Sequence, residues 1–376
     1  MTATKDPSAY SAKRFNLDYG PLRKVVKGRV RDDELTRALY ASSASIVEVW
    51  PSCIVEPRDT DDVLATVTFA RERGIPVTAR GAGSGVAGQS LGQGIIIDFS
   101  VHMNGLLEVN PQQGYARVQP GLVKDDFDAE LGTYGMFFPP DPSSSPWCTL
   151  GAMIANNSGG AKSIRYGTTK DYLLELDVLL MSGERIKLRE LEVLPEGRIL
   201  FPPDASPGER RLAESLLELL RSRRAVISAH RPESSRNAAG YNIFDALHRP
   251  LSPAPGGEPP RDYWSDEDIG GGNIGGVLDM PKLFCGSEGT LGLLLEARLR
   301  VVNQPRFQAG AELYFESNER MAEGILKLNA TRPTKLEVLD RSFIDVAARS
   351  DPKLAAGIPE RLKSMLIVEY WANSEE

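Results

Sequence analysis

Residues 76–100, Pro-Val-Thr-Ala-Arg-Gly-Ala-Gly-Ser-Gly-Val-Ala-Gly-Gln-Ser-Leu-Gly-Gln-Gly-Ile-Ile-Ile-Asp-Phe-Ser, constrain the chain more than any other stretch. Short apolar strands flank a loop in which Gly81, Gly83, Gly85 and Gly88 permit φ > 0 and leave no Cβ between backbone N–H groups and a bound anion. The loop reads as a phosphate cradle, with Arg80, Ala82, Ser84, Gln89 and Ser90 beside the glycines. Gly83-Ser84-Gly85-Val86-Ala87-Gly88 also fits G-x-G-x-x-G, a fingerprint that counts only when a helix follows it. Here only Gln89 to Gln93 precede Gly94, and Ile95–Ile97 then begin a β-branched run. The loop therefore joins strand to strand, which argues against a Rossmann NAD site.

With 376 residues, 41% hydrophobic and 25% charged, the chain is long enough for two or three globular units. A net charge of −7 with no concentrated basic face argues against a nucleic-acid partner. The N-terminus has no apolar core of a signal peptide and no stretch reaches the length of a membrane span, so the expectation is a cytoplasmic protein, not an integral membrane protein. Cys53, Cys148 and Cys285 are far apart and odd in number, and His102, His230 and His248 show no ligand spacing. Neither a disulfide framework nor a metal site is expected within this chain.

Along the chain, residues 1–45 form a lead-in with a helix over 32–40. Cys53–Val55 is a strand, and Asp59 to Asp62 open a helix with Val63, Val67 and Ala70 on one face up to Gly74. Val77–Ala79 completes a β-α-β unit and delivers the chain into the glycine loop. Two strands, 104–110 and 115–118, precede an amphipathic helix over 123–133. A hairpin at 174–187 is followed by a helix from Pro207 to Arg221 with Leu212, Leu216, Leu217 and Leu220 on one face. From 249 to 276 the Pro-, Gly- and acid-rich composition reads as a flexible insertion. Beyond Pro305 a second β-α-β pattern runs through strands at 311–315, 335–339 and 364–371 and helices at 319–328 and 341–349.

Phe138 to Gly167 is dense in turn formers yet holds the apolar segment Leu150–Ala155. A short helix there would present free N–H groups near Thr149, Gly151 and Ala152, a second approach to a diphosphate. Asn156, Asn157, Ser158, Gly159 and Gly160 close it. Later, Gly286-Ser-Glu-Gly-Thr-Leu-Gly292 forms a tight turn feeding a long strand.

The glycine loop after Arg80, the Pro140-Asp141-Pro-x-Ser144 block, Thr149-Leu-Gly151, Asn156-x-Ser158-Gly159-Gly160, Arg165-Tyr166-Gly167-Thr-Thr, Arg236-Asn-x-x-Gly-Tyr-Asn242 and the turn with Glu288 and Gly289 occur in order. Together they resemble the FAD-linked oxidase family, whose type member is vanillyl-alcohol oxidase. The resemblance is strongest to the flavin subunit of glycolate oxidase and to the D-lactate and D-2-hydroxyglutarate dehydrogenases, above all versions fused to a C-terminal iron–sulfur region. It implies an α+β chain: a PCMH-type FAD-binding domain of two α+β subdomains over 46–305, then the first half of an α+β substrate domain with a ferredoxin-like antiparallel sheet over 306–376. It carries over FAD as cofactor, contacted by the residues named in the 80–90, 140–167 and 288–289 blocks, with the Arg236–Asn242 block on the substrate side. Some members attach FAD through a His in the glycine loop; Ser84 stands in this one, so the expectation is non-covalent FAD.

The implied reaction is oxidation of a D-2-hydroxy acid of the lactate, 2-hydroxyglutarate or glycolate type to the 2-oxo acid. The family's metal-binding H-x-G-D-G-x-x-H-type motif, its catalytic His and the Cys-rich cluster motifs do not occur here. The sequence thus reads as the N-terminal part of a larger enzyme, with metal and iron–sulfur cluster in regions outside it. No catalytic residue is nominated. Expected partners are the small-molecule substrate, an electron-transfer region or iron–sulfur subunit, and a second copy of the chain, with a location cytoplasmic or peripheral to the inner membrane. The alternatives are a flavin-binding electron-relay subunit that never meets substrate, and an NAD-dependent enzyme.

Overall fold

A computed structural model describes residues 17–232, 234, 237–248, 276–350, 359 and 361–373. Arg236 and the insertion at 249–275 lie outside the described residues.

The first unit is a four-stranded sheet. It holds β1 (Arg29–Arg31), β2 (Cys53–Glu56), β3 (Val77–Arg80) and β4 (Ile95–Asp98) in the order β1-β2-β4-β3. Helices α1 (Gly20–Val25), α2 (Glu34–Tyr40) and α3 (Thr60–Glu72) pack with it. Ile95, Ile96 and Ile97 are fully buried because β4 lies between two strands and is covered on both faces, the pattern of a parallel strand. Burying each such side chain contributes about 1.5–3 kcal/mol. Residues 17–45 pack closely on this unit. Leu22 is fully buried, β1 pairs antiparallel with β2, and the buried Asp62 carboxylate accepts N–H bonds from Lys27, Gly28 and Arg58 at 2.7–2.9 Å. Asp59 caps α3 through the N–H of Asp62, as its position before the apolar repeat predicts.

The glycine stretch is not a hairpin. Strands β3 and β4 run parallel, so the chain leaves the sheet edge through the loop and crosses back to the interior position beside β2.

The second unit is an eight-stranded sheet. Its strands are β5 (Leu106–Asn110), β6 (Tyr115–Val118), β8 (Leu173–Leu179), β9 (Arg185–Val193), β10 (Ile199–Leu200), β11 (Leu247–His248), β12 (Gly276–Asp279) and β13 (Leu293–Arg300). The order is β11-β12-β9-β8-β13-β6-β5, with β10 on β9, and every pairing is antiparallel. Helices α4 (Lys124–Gly132), α5 (Leu150–Ala155), α6 (Ser163–Tyr166), α7 (Pro207–Ser222), α8 (Arg224–Ala229) and α9 (Met280–Phe284) belong to this unit. Its core is separate from that of the first sheet, and Leu179, Leu293 and Leu295 carry the first core onto the second sheet. On α7, Leu216, Leu217 and Leu220 are buried as their spacing predicts, whereas Leu212 is exposed at the edge of the stripe. A two-stranded ribbon, β7 (Met136–Phe137) with β14 (Val302–Asn303), stands beside the main sheet.

The third sheet takes β15 (Phe307–Phe315), β16 (Lys335–Asp340) and β17 (Ser364–Ala372) in the order β15-β17-β16, with helices α10 (Asn318–Asn329) and α11 (Arg341–Ser350). Met365–Val368 is not an open edge: β17 is the central strand, and Leu366 and Val368 are buried. The last strand inserts between the first two and runs antiparallel to both. This sheet docks on the second unit through Trp371. Arg165 Nη1 donates to Trp371 O at 2.6 Å and to Thr334 Oγ1 at 3.0 Å, Lys162 Nζ lies 4.4 Å from the Trp371 ring centre, and Phe137 and Tyr166 pack edge-on or tilted against the ring.

Candidate functional site

A cleft of about 530 Å³ lies between the first and second units. One wall is β3 and the glycine loop, from Val77 through Gly81 to Ser90. The other is Ser144, Cys148, α5, Asn156 and Ser158, and the floor is Phe284, Glu288–Thr290, Gly292 and Leu294. Of the residues expected at a cofactor, Arg80, Gly81, Gly83, Ser84, Gly85, Gln89, Ser90, Ser144, Thr149, Gly151, Ala152, Asn156, Ser158, Glu288 and Gly289 line it. Ala82, Gly88, Pro140, Asp141, Gly159, Gly160, Tyr166 and Gly167 do not. Asp141 instead holds the Lys162 N–H and ammonium, and Tyr166 is part of the joint that seats Trp371. Apolar Val77, Ala79, Phe99, Pro120, Met153 and Leu294 were not anticipated; such residues signal only core until a cleft opens beside them.

The glycines do two different jobs. Gly83 and Gly88 sit at φ +70° and +80°, while Gly81 and Gly85 do not take the positive φ that glycine permits. Gly81 is required by close approach, because a Cβ there would stand 2.2 Å from Thr149 Oγ1 across the two walls. Gly85 faces the Gln89 amide.

The backbone N–H groups of residues 81–90 have no protein acceptor among the described residues. The expectation of free N–H groups at the start of α5 is overturned. Leu150 N donates to Leu122 O, Gly151 N to Pro120 O, and Ala152 N reaches Thr149 Oγ1 at 3.4 Å, because the 120–124 segment pairs against this end of the helix. The anion-ready wall is therefore the glycine loop alone. The Oε1 of Gln89 and the Oγ of Ser90 are buried without a partner, and an unmet buried polar atom costs about 1–3 kcal/mol. A ligand bearing phosphate acceptors and hydroxyl donors satisfies both sets.

Arg80 lies half-buried in this wall, and burial draws its pKa down from the usual value against the pull of Asp98 and Tyr40. Cys148 is a buried thiol whose pKa burial pushes up, so it is no ready nucleophile. At the floor, Glu288 holds φ +50°, and Gly286 N and Glu288 N donate to Ile154 O and Ala155 O at 2.9 Å each. The turn thus caps the end of α5. Asn242 Nδ2 donates to Cys285 O at 2.6 Å, and Tyr241 hydrogen-bonds Thr290 at 2.8 Å, bringing Tyr241 and Asn242 to the floor.

None of the three histidines lines the cleft. His248 instead joins Glu190 and Asp279 in a group whose ligand atoms lie within 4.8 Å of one another, which histidine spacing along the chain did not reveal. Lys282 Nζ already stands 2.8 Å from Asp279 Oδ2 and 3.4 Å from His248 Nε2, where a cation would be. Burial of Asp279 is outweighed by Lys282 and the bond from His248, which hold its pKa below the usual range. Lys282 is held above its usual value by Asp279 despite burial.

Residues 51–189 match the family described as "FAD binding domain". Over that stretch the chain is similar to the FAD-binding domain of FAD-linked oxidases. It is 32% identical over 331 residues to a D-2-hydroxyglutarate dehydrogenase of Pseudomonas putida, covering 86% of this chain and 30% of that protein. Over 343 residues it is 25% identical to glycolate oxidase subunit GlcD of Bacillus subtilis, covering 90% of this chain and 55% of that one. The chain thus spans about a third of the length of its dehydrogenase relatives. In fold it is similar to alkyldihydroxyacetonephosphate synthase, with a TM-score of 0.60 at 15% identity over 95% of this chain and 58% of that one. Among the described residues no helix is long and apolar enough to cross a membrane.

Proposed function

We propose that the cleft holds FAD non-covalently, with its diphosphate against residues 81–90, and that the chain is the hydride-accepting part of an enzyme that oxidises a D-2-hydroxy acid to its 2-oxo acid. The observation that carries this reading is the row of unpaired N–H groups in the glycine loop, beside the orphaned Gln89 Oε1 and Ser90 Oγ. When bound, the flavin supplies a two-electron acceptor. This chain's residues do the rest of the holding: the loop N–H groups bind phosphate, Phe99, Met153, Phe284 and Leu294 exclude water, and the Glu288–Thr290 turn fixes the floor. The names of the relatives, dehydrogenases of D-2-hydroxyglutarate and D-lactate and a subunit of glycolate oxidase, support the substrate class. An iron–sulfur or other electron-transfer partner, a homo-oligomer and a cytoplasmic or peripheral inner-membrane location belong to the same proposal, as does the division at 45 and 305.

The test is calorimetric titration of the purified, flavin-stripped chain with FAD, FMN and NAD. One-to-one binding of FAD, tighter by at least tenfold than FMN and with no heat from NAD, is expected. Equal affinity for FAD and FMN would remove the diphosphate from the argument.

A further inference from the structure

Arg80 stands where the sequence places a phosphate-binding cation, yet its head is directed elsewhere. Its Nη1 donates to Tyr40 O at 3.1 Å and its Nη2 to Ser42 O at 2.9 Å, with the guanidinium carbon 5.0 Å from the Tyr40 ring centre. The first carbonyl ends α2 and the second lies in the strap that follows it, residues 41–47, along the glycine loop. Ala44 N donates to Gly83 O at 3.0 Å, Val49 N closes the strap on Ala41 O at 2.9 Å, and Ser45 and Val47 sit against Gly88. Gly83 has room for no side chain, since a Cβ would lie 2.7 Å from Arg80 Nη2. Tyr40 is anchored in turn, its hydroxyl donating to Asp98 Oδ2 at 2.5 Å, and Asp98 is the register partner of Arg80 on β4. Strap, guanidinium and loop form one hydrogen-bonded body.

Resting on the reading of the cleft as a FAD site, we propose that Arg80 is a positioning residue: it clamps the 41–47 strap, the strap fixes the loop at Gly83, and retention of FAD depends on that chain of contacts rather than on a bond from Arg80 to the cofactor. A fixed loop presents its N–H groups without paying to order them on binding. A lysine has one ammonium and cannot reach both carbonyls in the fork geometry of a guanidinium.

The dissociation rate of FAD, measured by fluorescence recovery on dilution, tests this in Arg80→Ala, Arg80→Lys, Ala44→Pro and the double variant Arg80→Ala/Ala44→Pro. Ala44→Pro removes the strap N–H that Gly83 O accepts and leaves every cleft side chain in place. Each single variant should release FAD about tenfold faster, the double no more than about twofold beyond Arg80→Ala, as for residues acting in one network. In the flavin-free chain, amide exchange over 41–47 should quicken in all four. Tyr40→Phe, which deletes only the bond to Asp98, is the milder variant if Ala44→Pro does not fold, with about a threefold faster release expected. Parental release by Arg80→Lys, additive effects in the double variant, or unchanged exchange in the strap would overturn the proposal. A parent chain that fails to bind FAD at all would instead reject the cofactor reading, a separate result seen before any variant is made.

Discussion

Gln89 Nε2 donates to Asn156 Oδ1 over 3.1 Å, and this bond ties the glycine loop of the first unit to the C-terminal cap of α5 in the second, on opposite walls of the cleft. Gln89 thereby keeps Oε1 turned to a buried place without a donor. Gln89→Ala and Asn156→Ala should each weaken FAD binding about tenfold, the scale of one or two lost hydrogen bonds. Because they share one bond, the double variant should lose less than the product of the two. Titration of all three with FAD checks it, and fully multiplicative losses would mean that the two side chains act independently.

Close approach across the same walls separates the glycines. At Gly81 a methyl group would drive into Thr149, the cap of α5, whereas at Gly85 it meets only the flexible end of Gln89. Gly81→Ala should lower FAD affinity about a hundredfold and Gly85→Ala about tenfold or less. Gly132→Ala, in the last turn of α4 with nothing nearer than 3.7 Å, should leave it unchanged. An affinity order with Gly85→Ala weaker than Gly81→Ala would displace the loop from the position described.

What was legible in the sequence follows the range of the interaction that decides it. Capped, periodic helices such as α3 and α7 and the buried run Ile95–Ile97 are set by neighbours along the chain, and they lie where the pattern places them. Dense glycine, serine and asparagine marked stretches of which Gly81, Gly83, Ser158 and Gly289 line the cleft, whereas Pro140, Asp141 and Tyr166 beside them do not. What escaped is set across the fold. The occupied N–H groups of α5 depend on Pro120 and Leu122, thirty residues upstream, and the Glu190–His248–Asp279 group depends on the register of three strands. The central place of β17 likewise follows from pairing order, which no local pattern carries.

The absence of a His in the glycine loop and the burial of the Cys148 thiol, which raises its pKa, bear on how flavin is held. Acid precipitation should leave all flavin in the supernatant. Cys148 should resist alkylation at pH 8 in the FAD-loaded chain and react faster in the stripped one, as it lines the cleft. Flavin found on a cysteinyl or seryl peptide by mass spectrometry would reject non-covalent binding.

Glu190 is an exposed residue that faces Asp279 across β9 and β12, and desolvation of its carboxylate together with that like charge raises its pKa, with Lys282 and His248 only partly opposing. A raised folded pKa contributes stability below the unfolded value of about 4.3 and loses it as pH rises through the folded one. At neutral pH the ionised Glu190 therefore works against folding. Glu190→Gln should raise Tm at pH 7, and the gain should shrink toward zero as pH falls to about 4. A Tm difference that does not change between these pH values would show that the carboxylate's charge is not the cause.

Hydride transfer from a hydroxy acid needs a group to take the hydroxyl proton and an anchor for the carboxylate, as well as a flavin. Orienting the substrate and moving that proton are together worth about 10 kcal/mol or more of barrier. Among the described residues around the cleft the one carboxylate is Glu288, burial raises the pKa of the thiol, and the histidines stand elsewhere. The one guanidinium that lines it among the described residues, that of Arg80, is turned to Tyr40 and Ser42. The FAD-loaded chain by itself should therefore reduce its flavin at least a thousandfold more slowly than an enzyme of typical turnover with D-2-hydroxyglutarate, D-lactate or glycolate. Anaerobic stopped-flow mixing, following loss of the oxidised flavin band, measures this directly. Reduction at about 1–100 per second without added metal or partner would place a base within these residues, and Glu288→Gln would then be the first variant to make.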